Sequence, residues 1–199
     1  GRDVTAEEIL PEILADAPYY RRSGGGVTLS GGEILGQADF ARDLLEACKQ
    51  SGLHTAVEST ANAPFETISR ILPFLDLYLL DIKHMNSAKH KEYTGAGNEL
   101  ILENAKRLAE SGVELIIRTP VVPNFNDTPE EIRAISKFAA SLRGVKEHHL
   151  LPYHRLGQDK YSGLGRRYSL EGVEPPSKEK MEYLKACAEE CGLKCQIGG

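Results

Sequence analysis

The sequence predicts an α/β protein built on a parallel sheet. Five short apolar runs alternate with segments of helical periodicity, and each run ends at a charged or ionisable side chain. Helices cover both faces of a parallel sheet, so its strands are almost continuously apolar. Ligands of such folds bind at the carboxyl ends of the strands. We therefore expect five side chains to converge on one mouth: Glu33, Glu58, Lys83, Arg118 and His154.

The first part of the chain alternates in this way from the start. A capping box at 5–8 begins a helix that contains Pro11, and a linker around 21–23 leads to the first strand. Helical spacing then predicts helices at 38–50 and 65–75, the second of which Pro73 ends or kinks. The predicted strands of this part lie at 27–29, 55–58 and 77–81.

The second part continues the alternation after a polar segment at 84–97, which we interpret as a short helix and a loop. An amphipathic helix at 100–111 is closed by Gly112, and another begins at Thr128-Pro129. A polar loop is predicted at 155–176 and a last helix at 178–191. The remaining predicted strands lie at 115–117, 149–151 and 194–197.

These elements are too few for an eight-stranded barrel. They suit most of a smaller, open barrel or a doubly wound sheet. The chain begins at a helix, so we expect that a strand before residue 1 is missing. At 199 residues the chain has the length of a single domain, which we place at 1–199.

Composition excludes several classes of function. Charged residues make up 27% and hydrophobic residues 41%, and no apolar run approaches the length of a membrane span. The net charge of −5 gives no electrostatic reason to expect nucleic acid as a partner. Four cysteines without a secretion signal indicate a reducing compartment, so we expect a cytoplasmic protein.

The segment from Gly24 to Glu33 is the strongest candidate for a binding site. It runs from three glycines through Val27-Thr28-Leu29 into Ser30-Gly31-Gly32 and the carboxylate of Glu33. Glycine has no Cβ, so the backbone here can approach a ligand closely. Taken alone, the same pattern also suits a plain tight turn.

Six motifs are spread over essentially all 199 residues: Gly24–Glu33, His54–Glu58, Leu80–Met85, Tyr93–Gly95, Ile117-Arg118 and Leu150–Gly157. In this order they resemble the activating enzymes of glycyl radical enzymes. These are the family of pyruvate formate-lyase activating enzyme, within the radical S-adenosylmethionine (SAM) superfamily. Three positions depart from the family's common residues, namely Ile34, Glu58 and Asn124, and we expect all three to be tolerated.

The resemblance implies a partial (β/α)6 barrel that lacks its first strand, with S-adenosylmethionine and a [4Fe-4S] cluster as cofactors. It implies reductive cleavage of S-adenosylmethionine to a 5′-deoxyadenosyl radical, which removes a hydrogen from a glycine of a partner glycyl radical enzyme. An electron donor such as flavodoxin or ferredoxin would supply the electron. The implied cofactor-binding residues are Gly31, Gly32, Glu33, Glu58, Asp81, Lys83, Arg118 and His154. No catalytic residue is assigned, although Lys83 and His154 are candidates.

One departure from the family is serious, because the cluster motif CxxxCxxC is absent. Cys187, Cys191 and Cys195 form CxxxCxxxC, but they fall on the last helix and beyond it, and cysteine is more often a packed residue. We therefore assign no metal ligand in this chain. The chain is interpreted as truncated at its N-terminus, with the cluster in the full-length protein only and no radical chemistry by the fragment alone.

Two other functions stay open. Lys83 at a strand end could be the nucleophile of a Schiff-base aldolase, with Glu58 or Asp81 as acid and base. The chain could also be a non-catalytic domain that binds an adenosyl ligand or a protein. Asp81 and Lys83, two residues apart on a strand, could equally form an ordinary salt bridge.

Overall fold

The computed structural model describes residues 2–155 and 170–198, so most of the predicted loop at 155–176 lies outside the described residues. The chain divides into two compact units. The first comprises Gly1–Asp81, Glu99–Ile116 and Leu142–Val145, and the second comprises Ile82–Asn98, Ile117–Ser141 and Lys146–Gly199. The assignment of one domain to 1–199 stays a prediction.

Strands and helices alternate as the sequence predicts. The strands are β1 (Gly26–Leu29), β2 (His54–Ser59), β3 (Leu77–Asp81), β4 (Glu114–Val121), β5 (Glu147–Pro152) and β6 (Lys194–Ile197). The helices are α1 (Ala6–Ala15), α2 (Ala17–Ser23), α3 (Ala38–Gln50), α4 (Phe65–Ser69), α5 (Ser87–Thr94), α6 (Glu99–Ser111), α7 (Pro129–Ser141) and α8 (Lys178–Glu189). Single 3-10 turns lie at Ile34–Gln37 and Leu72–Phe74.

The helix boundaries follow local signals in the sequence. Thr5 and Glu8 form the predicted capping box at the start of α1. The predicted helix at 65–75 is broken, because α4 ends at Ser69 and Pro73 falls within a separate 3-10 turn. The predicted linker around 21–23 was wrong. These residues belong to α2, which starts with a proline in its first turn and ends at Gly24 in the left-handed region, at φ 72°.

The strands form one sheet in the order β1-β2-β3-β4-β5-β6. Within the first unit, β1 pairs with β2 and β2 with β3, and both pairs are parallel. Within the second unit, β4 pairs with β5 and β5 with β6, again in parallel. This sequential parallel order confirms the predicted α/β alternation.

Each unit has its own apolar cluster. In the first, side chains of α1 and α3 cover β1, with Val27, Leu44 and Cys48 buried among them. In the second, α7 and α8 pack on β5 through Ile132, Leu150 and Leu184. Cys48, Cys187 and Cys195 are buried, as expected for packed cysteines. Over the residues described, none of the helices has the length and apolar character needed to cross a bilayer.

Candidate functional site

The glycine loop that follows β1 presents open backbone. Gly31 and Gly32 are exposed. Gly31 has φ 137°, a backbone conformation that residues other than glycine rarely adopt. A Cβ placed on either residue would meet no atom within 4 Å. A cavity of about 270 Å³ lies beside the loop and is lined in part by Ser30, Gly32, Glu33 and Phe40. The loop can therefore receive a ligand directly against its main chain.

The carboxylate of Glu33 fixes the end of this loop. Its Oε1 accepts hydrogen bonds from Ser59 Oγ (2.6 Å) and from the Leu35 amide (3.2 Å). Its Oε2 accepts from the Thr60 amide (3.1 Å) and from Thr60 Oγ1 (2.7 Å). Burial raises the pKa of Glu33, but these hydrogen bonds outweigh burial and lower the pKa below its ordinary value. Glu33 is therefore a charged carboxylate that joins the glycine loop to the end of β2.

Glu58 and Asp81 complete the candidate residues of the first unit. Glu58 is the last residue but one of β2, and Asp81 is the last residue of β3. The two strands pair with Glu58 opposite Leu79, so both carboxylates lie toward the carboxyl end of the strand pair. Both residues are half-buried. Their predicted position near the ends of β2 and β3 is confirmed, and their part in cofactor binding stays a prediction.

Lys83 and Arg118 lie on adjacent backbone in the second unit. The Ile82 amide donates to Arg118 O at 2.9 Å. Buried Asn126 donates through Nδ2 to Lys83 O (2.7 Å) and to Pro120 O (2.8 Å), which ties the segment after Ile82 to the end of β4. The backbone of Lys83 is thus fixed against the strand that carries Arg118.

His154 lies two residues beyond β5 and is exposed. The preceding Tyr153 is buried, and its amide donates to Val121 O at 3.0 Å, which continues the pairing of β4 and β5 for one more residue. His154 therefore follows a well-held strand end, as the sequence predicts. The expected convergence of all these side chains on one mouth stays a prediction.

Comparison with known proteins identifies the family. The model of the Radical SAM superfamily matches residues 1–139. The chain is 39% identical over 196 residues to pyruvate formate-lyase 1-activating enzyme of Escherichia coli strain K12, covering 98% of this chain and 80% of that protein. It is 40% identical over 190 residues to choline trimethylamine-lyase activating enzyme of Oleidesulfovibrio alaskensis, covering 94% of this chain and 61% of that protein.

A solved structure supports the same family. A crystallised domain of pyruvate-formate lyase-activating enzyme from Bacteroides vulgatus superposes with a TM-score of 0.73 at 35% identity, covering 88% of this chain and 99% of that one. The chain belongs to the radical SAM superfamily and, within it, to the activating enzymes. The predicted α/β fold of the partial-barrel type is therefore confirmed.

The family implies two groups, S-adenosylmethionine and a [4Fe-4S] cluster, and the first of them fits the glycine loop. S-adenosylmethionine carries an ammonium group, which needs hydrogen-bond acceptors and favours nearby negative charge. The loop offers main-chain carbonyls at Gly31 and Gly32 without Cβ atoms, and the ionised carboxylate of Glu33 follows them.

The cluster does not fit the described residues. Such a cluster is held by several cysteine thiolates. Cys48 is buried on α3, whereas Cys187, Cys191 and Cys195 lie on or after α8. Over 2–155 and 170–198, no group of three or more His, Cys, Asp or Glu side chains is placed to hold a metal ion.

Sequence reasoning did not identify the residues that hold the site. Ser59 and Thr60 lie directly after the strand-end Glu58, and Asn126 lies in the loop before α7. Hydroxyl and amide side chains next to strand ends were the available signal. Ser59 and Thr60 bind Glu33, 26 and 27 residues away, and Asn126 binds Lys83 O, 43 residues away, so that signal did not indicate these partners.

Proposed function

We propose that this chain forms the S-adenosylmethionine-binding part of an activating enzyme for a glycyl radical enzyme. The open Gly31-Gly32 backbone, followed by the ionised carboxylate of Glu33, is the observation that carries the proposal. Membership of the radical SAM superfamily and close similarity to activating enzymes support it. Members of this family reductively cleave S-adenosylmethionine at an iron-sulfur cluster and use the resulting radical to take a hydrogen atom from a glycine of the partner.

The glycine loop binds the methionine end of the cofactor in this proposal. The main-chain carbonyls of Gly31 and Gly32 accept hydrogen bonds from the methionine ammonium. Glu33 places its negative charge beside that ammonium and holds the loop in position through Ser59 and Thr60. Glu33 already accepts four hydrogen bonds, so we assign the direct contacts mainly to the carbonyls.

Further contacts with the cofactor are proposed for residues of each unit. In the first unit, Glu58 and Asp81 supply acidic groups at strand ends. In the second, Lys83 and Arg118 suit the cofactor carboxylate, because ammonium and guanidinium groups pair with carboxylates. His154 is proposed near the ribose or the sulfonium. Lys83 and His154 stay the candidates for a catalytic role.

We propose that the cysteine ligands of the cluster lie outside these 199 residues. The 199-residue chain by itself would then form no glycyl radical. Flavodoxin or ferredoxin would supply the electron, and the protein would act in the cytoplasm without nucleic acid or membrane as partner. Reconstitution of the chain with iron and sulfide tests whether the cluster ligands lie outside these residues. Formation of a stable four-iron cluster would contradict this.

Radical transfer tests the function itself. A protein that contains these residues and a bound cluster is mixed anaerobically with S-adenosylmethionine, a reductant and a glycyl radical enzyme of the same cell. Electron paramagnetic resonance should then detect a glycyl radical on the partner, and none when the partner's radical glycine is replaced by alanine. Cleavage of S-adenosylmethionine with no radical on any glycyl radical enzyme of that cell would overturn the proposal.

A further inference from the structure

Asn104 is a buried polar residue on the core-facing side of α6. It is 1% exposed, and its amide nitrogen donates two hydrogen bonds, to Ala61 O (2.7 Å) and to Ala63 O (2.8 Å). Asparagine is a poor residue for a helix interior, and a buried amide is costly unless its donors are used. Within the described chain Asn104 Oδ1 accepts no hydrogen bond. The contribution of this side chain therefore lies in its two donors.

The segment that Asn104 holds has a strained backbone. Ala61 is fully buried at φ 54°, in the left-handed region that costs a residue with a Cβ about 1–2 kcal/mol. Such a conformation persists when surrounding contacts determine it. The Ala61 amide donates to Ser59 Oγ at 3.0 Å, and its carbonyl is held by Asn104. Both polar groups of the strained residue are thus fixed.

The same segment supplies the donors that bind Glu33. Ser59 Oγ donates to Glu33 Oε1, and Thr60 donates to Oε2 through both its amide and its hydroxyl. The direction of these donors depends on the backbone of 59–61. Hydrogen bonds therefore run without interruption from Asn104 through Ala61 and Ser59 to Glu33, which directly follows Gly32.

We propose that Asn104 is a positioning residue for the Gly31-Gly32-Glu33 loop. By holding the carbonyls of Ala61 and Ala63 it keeps the segment after β2 in the conformation that presents Ser59 and Thr60 to Glu33. Its effect on S-adenosylmethionine rests on the proposed function of that loop. Its effect on the loop itself does not depend on the ligand.

Hydrogen exchange of the free chain tests the positioning directly. The amides of Leu35 and Thr60 both donate to Glu33, so their exchange rates report whether these contacts persist. In Asn104→Ala we expect both amides to exchange at least about tenfold faster. Leu108→Ala is the matched control, because Leu108 is also fully buried on α6 but belongs to its apolar face. That variant should lower the stability of the chain without a selective change at these two amides.

Titration with S-adenosylmethionine separates this inference from the proposed function. We expect Asn104→Ala to weaken binding by about tenfold, the size of effect seen for outer-shell partners of other sites, and Leu108→Ala to leave it unchanged. Faster exchange at Leu35 and Thr60 with unchanged affinity would confirm the positioning and contradict the ligand assigned to the loop. Unchanged exchange at both amides would overturn the inference. Asn104→Ser, which keeps a small polar group, replaces the alanine variant if that variant does not fold.

Discussion

Glu33 and Thr60 are joined by two hydrogen bonds to a single carboxylate oxygen. The amide of Thr60 lies 3.1 Å and its hydroxyl 2.7 Å from Glu33 Oε2, although the two residues are 27 positions apart. The carboxylate that follows the glycine pair thus has a structural task in addition to its charge. A change at Glu33 should therefore affect both the stability of the first unit and ligand binding.

Glu33→Gln tests this double role. The glutamine amide cannot accept at both ends, so donors of Ser59 or Thr60 lose their partner, which costs about 1–3 kcal/mol of unfolding free energy. The folded-state pKa of Glu33 is lowered, so its stabilising effect is full above the unfolded value of 4.5 and is lost as the pH falls through the folded value.

Urea unfolding of both proteins at pH 7 and at pH 3–4 measures this effect. The wild type should be more stable than Glu33→Gln at pH 7, and the difference in unfolding free energy between the two proteins should be smaller at pH 3–4. Equal stability of the two proteins at pH 7 would contradict the structural role of Glu33.

Gly32→Ala separates binding from folding. A Cβ at Gly32 meets nothing within 4 Å, and Gly32 is not among the glycines at positive φ, so stability should change by less than about 0.5 kcal/mol. The added methyl group would occupy space that the proposed function gives to S-adenosylmethionine, so the affinity for this cofactor should fall at least about tenfold.

Gly36→Ala is the control, since its Cβ also meets nothing within 4 Å. Calorimetric titration and thermal unfolding of both variants give the comparison. If Gly32→Ala binds S-adenosylmethionine as well as Gly36→Ala does, the methionine end does not lie against this loop.

The sequence was sufficient to predict the alternating elements and most ends of the strands. The glycine pair, Glu58, Asp81 and Lys83 follow or end apolar runs that form strands. The predicted end of the strand at 115–117 was wrong, because β4 continues to Val121 and Arg118 lies within it. The missed helix α2 has the sequence Ala-Pro-Tyr-Tyr-Arg-Arg-Ser, which lacks an apolar period, and only its proline and the following Gly24 mark its ends.

The support of the site could not be predicted in the same way. Asn104 is 43 residues from Ala61, and nothing in a helical sequence indicates which backbone its amide will meet. The left-handed conformation of Ala61 could not be predicted from the sequence either, because alanine seldom adopts it. Asn124 is the opposite case. It adopts φ 64°, a left-handed conformation that asparagine tolerates better than most residues.

Gly26→Ala should be strongly destabilising. A Cβ at this position of β1 would lie 2.0 Å from the carbonyl oxygen of His54, the residue paired with it on β2. The clash is with main-chain atoms of the neighbouring strand, which cannot move aside easily. We therefore expect the free energy of unfolding to fall by about 2–3 kcal/mol, at the upper end for overpacked sites. Denaturant unfolding measures it, again with Gly36→Ala for comparison. The prediction fails if the two variants unfold at the same denaturant concentration.

His148 is a histidine of β5 with no exposed surface. Its Nε2 lies 2.9 Å from Thr119 Oγ1 and its Nδ1 lies 3.0 Å from Ser136 Oγ. Each hydroxyl also donates to a main-chain carbonyl, Thr119 Oγ1 to Ile82 O (2.8 Å) and Ser136 Oγ to Ile132 O (2.7 Å). Both hydroxyl oxygens therefore remain as acceptors, and the protonated nitrogen of a neutral imidazole can donate to either of them. Burial, with a smaller effect of neighbouring His149, lowers the pKa of His148 to about 3. The folded protein therefore keeps this ring uncharged.

The unfolded chain binds a proton at His148 below its ordinary pKa of 6.5, whereas the folded chain does not until about 3. Stability should thus fall as the pH drops through this window, by about 1.4 kcal/mol per pH unit for this one proton. Gln at this position can hydrogen bond but cannot titrate. Between pH 7 and pH 5 the wild type should therefore lose about 2 kcal/mol more than His148→Gln. Chemical unfolding of both proteins at pH 7 and pH 5 tests this prediction. An equal loss of unfolding free energy in the two proteins would mean that His148 is protonated in the folded state or does not control acid stability.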